Sequence, residues 1–124
     1  MECPQLNNFS GVSSNKSATA HPILNGVAGT VAQLEFNAGA SLTINTTAIP
    51  NVKGHLWRSG YTQNTSNVLC ASSTFGTGRV FILGDSSPTD DGTGGPGNTL
   101  YNGWSAYSHA TLLTNASLWV AKVQ

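Results

Sequence analysis

Three of the five acidic residues of this 124-residue chain lie within seven consecutive positions, at Asp85, Asp90 and Asp91. Only 8% of the residues are charged, so solvation alone is a poor explanation for the cluster. Carboxylate oxygens suit calcium, and converging carboxylates need a cation, a proton or backbone N–H donors to relieve their repulsion. The favoured interpretation is structural: Asp85 caps its own turn, and residues 90–92 form an Asx turn. The alternative is a metal or polyol site, with calcium held by these three residues and backbone carbonyls.

Ser86 offers a nucleophile just beyond the apolar segment 80–83. The Gly-Asp-Ser sequence that ends at Ser86 resembles the nucleophile block of the GDS lipases and esterases, in which a serine attacks an ester. This resemblance implies Ser86 as nucleophile. A hydrolase that uses His109 as base and Asp90 or Asp91 as the orienting carboxylate is compatible with the sequence, because triads are defined by geometry rather than by chain order. The Asp that this family carries three positions before its histidine is absent here. The competing interpretation of His109 is a half-buried helix residue.

Aromatic side chains follow the acidic segment in the same Gly-rich stretch. A neutral, wet surface with aromatic rings is typical of carbohydrate-binding sites. Tyr101 and Trp104 are therefore expected to line a ligand-binding pocket together with Asp85, Ser86 and Ser87. The alternative is ordinary packing of the two rings.

Short strands must position these residues. Strand-length segments rich in apolar or β-branched residues alternate with turn residues, at positions 30–36, 40–45, 55–58, 67–72 and 79–83. The run 80–83 is apolar on both faces, which predicts a central, buried strand. Residues 74–78 contain two glycines and predict a hairpin turn. Residues 84–103, with six glycines and two prolines, predict a long loop.

The C-terminal tail has a helical period. Ser105 is the expected N-cap of a helix of about seventeen residues. Apolar and bulky residues then recur at spacings of three and four and form one stripe: His109, Leu112, Leu113, Ala116, Trp119, Val120 and Val123. One amphipathic helix packed on a sheet with a buried central strand predicts the α/β or the α+β class rather than a β-sandwich.

Four blocks of sequence are similar to class I glutamine amidotransferase-like domains, in their noncatalytic branch of secreted Bacteroidetes and gliding-motility-type proteins. The blocks are 21–27, 76–94, 100–104 and 113–119, within a likeness that covers roughly residues 21 to 122. The resemblance implies a flavodoxin-like α/β fold, of which this chain is the C-terminal half sheet with its amphipathic helix. The Gly-x-Cys-x-Gly nucleophile elbow of true amidotransferases has no match, because Cys70 is followed by Ala-Ser.

The expected organisation is one domain over residues 21–124, preceded by a polar arm or linker over residues 1–20. A half sheet leaves an unpaired edge and an uncovered apolar face, which proteins normally hide. We therefore expect self-association, or a missing N-terminal segment of the same domain that covers this face.

The formal net charge of zero argues against nucleic acid and anionic membranes as partners. Ser, Thr and Asn together make up 40 of the 124 residues, a composition typical of secreted or extracellular bacterial modules, although the start of the chain lacks a signal peptide. Outside the cell Cys3 and Cys70 could form a disulfide; alternatively, Cys70 is a buried thiol and Cys3 is frayed. Both interpretations stay open.

These patterns favour a noncatalytic ligand-binding or structural module of an extracellular bacterial protein, with calcium or carbohydrate as its ligand. The alternative function is a small serine hydrolase of the esterase or lactonase kind that uses Ser86.

Overall fold

A computed structural model describes residues 8–97 and 101–123 of the chain, and these residues form three small antiparallel sheets and one long helix. The elements in chain order are β1 (Asn8–Ser13), β2 (Asn15–Lys16), β3 (Asn25–Gly26), β4 (Gly29–Thr30), β5 (Leu34–Ala40), β6 (Lys53–Trp57), β7 (Val68–Phe75), β8 (Gly78–Leu83), the 3₁₀ helix η1 (Ser87–Thr89) and α1 (His109–Val120). The largest sheet has the order β2-β6-β7-β8, and the others pair β1 with β5 and β3 with β4. The chain is thus a mixed, sheet-rich fold with a packed helix. All its described strand pairings are antiparallel, unlike the parallel pairings expected of a flavodoxin-like sheet.

The predicted hairpin turn is confirmed between β7 and β8. Phe75 pairs with Gly78 across the turn, and Gly76 has a φ of 56°, a conformation that glycine adopts without steric cost. The following residue pairs continue without a register shift to Cys70 opposite Leu83. Local turn chemistry therefore fixes the register of the whole hairpin.

The prediction that the run 80–83 is a central, buried strand is wrong. β7 occupies the central position, between β6 and β8, and its residues 68–71 are buried. β8 is the edge strand, and Val80 and Ile82 on one of its faces are 55% and 49% exposed. An apolar run shows that both faces of a strand can be covered, but it does not show which element covers them.

The segment expected to be an arm, residues 1–20, belongs to the folded domain in its described part. β1 pairs with β5, with a register shift between Phe9 and Gly11, and β2 pairs with β6. Arg58 contacts the faces of two rings, with its guanidinium carbon 4.7 Å from the Phe9 ring centre and 4.9 Å from that of Tyr61. These cation–π contacts stabilise the packing of β1 against the end of β6.

Two predicted strands differ from the observed ones in extent. The prediction of a strand at 30–36 is displaced toward the C-terminus, because β5 covers Leu34–Ala40. The segment 40–45 does not form the predicted strand: Ala40 ends β5, Leu42 makes an isolated bridge with Val68, and the Ile44 N–H donates to the Thr65 carbonyl oxygen at 2.8 Å.

The helix begins later than predicted. α1 starts at His109 with Ser108 as its N-cap residue, because Tyr107 has a φ of 47°, which a helix starting after Ser105 could not accommodate. The Ser108 hydroxyl instead accepts hydrogen bonds from the backbone N–H groups of Ala32 and Gln33, at 3.0 and 3.4 Å. No helix among residues 8–97 and 101–123 is long and apolar enough to cross a membrane.

The main core lies between α1 and the sheets. It unites buried side chains from the turn before β3, from the residue after β4, from β5, β6, β7 and from α1: Ile23, Leu24, Val31, Leu34, Phe36, Leu56, Leu69, Cys70, Leu112, Ala116 and Trp119. The predicted stripe therefore faces this core at Leu112, Ala116 and Trp119. Its last two members do not: Val120 is exposed, and Val123 is exposed and lies beyond the end of α1. Cys70 is a free thiol with no exposed surface, and burial raises its pKa to about 12; Cys3 lies outside the described residues.

Asn115 connects α1 to the β3–β4 hairpin from a fully buried position. Its Oδ1 accepts a hydrogen bond from the Ala28 backbone N–H at 3.0 Å, and its Nδ2 donates to the carbonyl oxygens of Ile23 and Gly29 at 3.4 and 3.0 Å. A Cβ at Gly26 would overlap with the Asn115 amide. Glycine is therefore needed where this hairpin meets the helix.

Candidate functional sites

Asp85, the first residue of the predicted acidic site, follows β8 and directs both carboxylate oxygens at backbone donors. Oδ1 accepts from the Ser87 N–H at 2.8 Å, and Oδ2 accepts from the Asn37 N–H at 2.6 Å. The first bond caps the turn that leads into η1, and the second ties this turn to β5. The structural interpretation of Asp85 is therefore confirmed.

Asp90 and Asp91 make similar local turns. Asp90 Oδ1 accepts from the Gly92 N–H at 3.2 Å, which forms the expected Asx turn. Asp91 Oδ1 accepts from the hydroxyl and the N–H of Thr93 at 2.6 and 2.9 Å, and these bonds lower the pKa of Asp91. Within the described part of the chain, no three His, Cys, Asp or Glu side chains form a group that could hold a metal ion.

The residues named for a catalytic triad are not joined by hydrogen bonds. Ser86 is exposed, and its hydroxyl makes no hydrogen bond to any described residue. His109 has no exposed surface. The Glu35 N–H donates to its Nε2 at 2.9 Å, and its Nδ1 lies 2.6 Å from the Gly103 carbonyl oxygen.

These partners fix the tautomer of His109. A backbone N–H can only donate and a carbonyl oxygen can only accept, so Nδ1 carries the proton and Nε2 is unprotonated. Because the Nε2 lone pair is used by Glu35, it has no capacity left to take a proton from a serine. His109 is a buried structural connector between β5 and the loop that precedes α1, rather than the half-buried residue of the alternative interpretation.

Tyr101 and Trp104, the predicted ligand-lining aromatics, lie on the loop before α1 with partly exposed rings. The Tyr101 hydroxyl donates to the Glu35 carboxylate, and this bond raises the pKa of Tyr101 to about 12. The backbone N–H of Trp104 donates to the Asp90 carbonyl oxygen at 2.8 Å. Gly103, between them, packs so closely on Ser87 that a Cβ would overlap with the Ser87 carbonyl oxygen.

A cleft that the sequence reasoning missed lies beside β6 and is here named the histidine cleft. Its main cavity measures about 240 Å³ and is lined by Ser17, Thr19, His21, Lys53, Gly54 and His55. A second cavity of about 160 Å³ shares His21 and Lys53 with the first and is also lined by Asn51, Ser72, Ser73, Thr74 and Trp119.

The wall of the histidine cleft contains a buried polar pair. His55 Nε2 and Ser72 Oγ lie 2.7 Å apart in a hydrogen bond, and both residues are almost fully buried. The His21 ring packs beside His55 with 4.5 Å between ring centres, and beside Trp119 with 5.2 Å. The pairing of β6 with β7 brings His55 to Ser72, and the turn at 21–24 carries His21 to the same place.

Burial and positive charge keep these histidines neutral. Burial lowers the pKa of His55 to about 4, assisted by the neighbouring His21 and Lys53. The pKa of His21 is lowered by burial and by the charges of Lys53 and Arg79. Nothing in the local sequence indicates this cluster, because its members are far apart in the chain and have no metal-ligand spacing.

A second feature outside the predicted site is the apolar surface around β8. Phe75 is 89% exposed, and it adjoins a groove of about 630 Å³ lined by residues 48–51, residues 73–76 and Val80. A groove of about 380 Å³ lies between Phe81 and the apolar side of α1, where Leu113 and Val120 contribute. The open edge of β8 is therefore flanked by apolar grooves.

Comparison with known proteins identifies no relative of this chain: no family model, no curated protein and no solved structure matches it.

Proposed function

We propose that this chain is a noncatalytic interaction module that binds a second copy of itself through the β8 edge and the apolar surface beside it. The observation that carries this proposal is the exposure of Val80 and Ile82 on a strand at the end of its sheet. Large exposed apolar patches mark interaction sites in soluble proteins, and an unpaired edge offers a row of backbone donors and acceptors to a further strand.

The chemistry of β8 supports pairing with a second copy. Protected edges usually carry lysines, prolines or bulges, whereas the one charged residue of β8 is Arg79. Its guanidinium donates to the Trp119 carbonyl oxygen at 2.7 Å and lies over the Trp119 ring, so its charge is directed at its own helix. Two β8 strands paired antiparallel about Phe81 would place Val80 of one copy opposite Ile82 of the other, an apolar cross-strand pair.

The same proposal includes a fold and a location: a flavodoxin-like, amidotransferase-like half domain in an extracellular protein. In a complete domain of this kind, preceding βα units would cover the sheet edge and the apolar faces, and in the proposed dimer the second copy covers them. The small share of charged residues, 8%, supports a place outside the cell in a bacterial protein.

Light scattering after size exclusion, over a hundredfold range of protein concentration, tests this proposal. We expect a dimer in the wild type and a monomer in the double variant Val80→Lys, Ile82→Lys, because each lysine would leave a charge against an apolar partner strand. Val123→Lys is the control, since Val123 is exposed but lies after α1 and outside β8. This variant should dimerise like the wild type. A wild type that stays monomeric throughout would overturn the proposal, and so would a dimer that the β8 lysines leave intact.

Carbohydrate is the second candidate ligand, favoured by the partial exposure of Tyr101, Trp104 and Tyr107 along one loop. Aromatic faces of this kind stack on sugar rings. Titration with soluble bacterial and plant oligosaccharides should quench tryptophan fluorescence in the wild type and not in Trp104→Ala. Phe75→Ala, which removes an exposed ring from the β7–β8 turn, is the control that should still respond. Equal responses of the two variants would refute a role for this loop.

A further inference from the structure

The histidine cleft offers hydrogen-bond donors that no described residue uses. His21 Nδ1 accepts a hydrogen bond from the Ile23 N–H at 3.2 Å, so the neutral ring carries its proton on Nε2. That Nε2–H has no acceptor in the described chain. The Lys53 ammonium group, which lines both cavities, brings three further donors and makes no hydrogen bond or ion pair with the described residues.

The charge of the cleft has one sign. Lys53 lines both cavities, and the described lining residues of the two cavities include no carboxylate. The nearby Arg79 adds a second positive charge that acts on His21. The chain has only five acidic residues, and the described ones, Glu35, Asp85, Asp90 and Asp91, accept hydrogen bonds from donors outside the cleft. A cleft with unused donors, positive charge and no internal counter-charge is complementary to an anion.

We propose that the histidine cleft binds a small oxyanion, the carboxylate or phosphate group of an organic ligand, through Lys53 Nζ and His21 Nε2–H. The hydrogen-bonded pair of His55 and Ser72 forms the wall against which this group lies. A cavity of about 240 Å³ is below the usual range for drug-sized ligands, roughly 300–1,000 Å³. It therefore suits one anionic group with a few attached atoms. This site is separate from the β8 surface of the proposed function and stands or falls independently of it.

The same pair could be interpreted as a serine nucleophile and its base, which are found within such a distance in hydrolases. Two observations favour binding. Burial, assisted by the neighbouring His21 and Lys53, lowers the pKa of His55 to about 4 and so makes it a weak base. Among the described residues, no carboxylate makes a hydrogen bond with its other ring nitrogen in the manner of a triad.

Histidine and lysine side-chain NMR signals provide the test. The wild type is titrated at pH 7 and constant ionic strength with sodium phosphate, and separately with sodium acetate, against a sodium chloride reference. We expect saturable shifts of the His21 and His55 ring signals with phosphate or acetate and none with chloride. The anion that saturates at the lower concentration identifies the phosphate or the carboxylate as the preferred group.

Matched variants locate the binding. Lys53→Met removes the ammonium group and should weaken binding roughly tenfold or more, the effect of one lost charge-assisted hydrogen bond. Lys122→Met removes the same charge from an exposed residue just after α1 and should leave binding unchanged. His21→Gln, which cannot reproduce the ring donor in place, should weaken binding while the Asn115 and Trp119 signals stay at their native positions. Shifts that never saturate would overturn the proposal, and so would equal weakening in the two lysine variants.

Discussion

The acidic loop, residues 85–91, and the histidine cleft differ in how closeness in sequence relates to the presence of polar groups that a ligand could use. Asp85, Asp90 and Asp91 are neighbours in the chain, yet each carboxylate accepts hydrogen bonds from nearby backbone groups. His21 and His55 are far apart in the chain, yet their rings pack together above a cavity, and each has one ring nitrogen without a hydrogen-bond partner among the described residues. Short polar side chains close to turns tend to form hydrogen bonds with the backbone of those turns. Groups that are free for a ligand are better sought where long-range strand pairing brings them together.

The largest expected effect concerns His109, the structural histidine of this comparison. His109→Ala would leave the Glu35 N–H and the Gly103 carbonyl oxygen unpaired in the core and would open a cavity. Together these losses should lower the free energy of unfolding by about 3–5 kcal/mol, measured by urea denaturation.

Anion titration of the same His109 variant sharpens the comparison. Under conditions where the variant is folded, the histidine cleft should bind phosphate or acetate as the wild type does. A fully stable His109→Ala protein would contradict the connector role.

The next effect concerns pH and the histidine cleft. The unfolded chain takes up a proton on His55 near pH 6.5, whereas the folded chain does so only near the lowered pKa of about 4. The unfolded state therefore binds more protons between these values, and the free energy of unfolding should fall as the pH is lowered through this window. The loss from His55 is at most about 3 kcal/mol.

Denaturant titrations at several pH values, in the wild type and in His55→Gln, measure this loss. The variant should show a flatter dependence because it lacks the buried titrating ring, while the lowered pKa of the neighbouring His21 keeps its own contribution. Identical pH profiles in the two proteins would show that His55 is not held neutral by the fold.

A smaller effect is expected from Asp85. Asp85→Ala removes two hydrogen bonds to backbone donors and should cost about 1–3 kcal/mol. Asp91→Ala changes a fully exposed turn and should alter the melting temperature less.

Calcium decides whether the acidic loop is more than a set of turns. Because the three carboxylates already accept backbone hydrogen bonds, calcium and chelator should leave the melting temperature of the wild type unchanged. A rise with calcium that disappears in the double variant Asp90→Asn, Asp91→Asn would restore the metal-site hypothesis.

The smallest effect belongs to Ser86. Its exposed hydroxyl makes no hydrogen bond to the described residues, so Ser86→Ala should change stability by less than about 0.5 kcal/mol. The serine hydrolase alternative makes a separate prediction, that the wild type cleaves a chromogenic ester and that this variant does not. Ester turnover lost only in Ser86→Ala would show that the serine finds a base other than His109.

Features set by local chemistry could be predicted from the sequence. The β7–β8 turn follows from the glycines at 76 and 78, and the buried stripe of α1 follows from the spacing of Leu112, Ala116 and Trp119. The Asx turn at Asp90 was foreseen as one of two alternatives. In each case the residues that decide the structure are within a few positions of one another.

Features set by distant contacts could not be predicted. β1 has a polar sequence, NFSGVS, and becomes a strand because β5 offers it an edge. The apolar pattern of β8 gave no indication of its edge position, because that position depends on which strands lie beside it. The bond between His55 and Ser72, 17 positions apart, required the register of β6 against β7.

The buried thiol of Cys70 makes it possible to measure how often the core of this protein opens. A thiol reacts with disulfide reagents as the thiolate, and a pKa of about 12 with no exposed surface leaves Cys70 almost inert while β7 stays in place. Its labelling rate in a Cys3→Ser background therefore reports how often the central strand opens. When reclosing outpaces the reagent, that rate yields the opening free energy under native conditions, without any denaturant. The central sheet can thus be followed through a single sulfur atom.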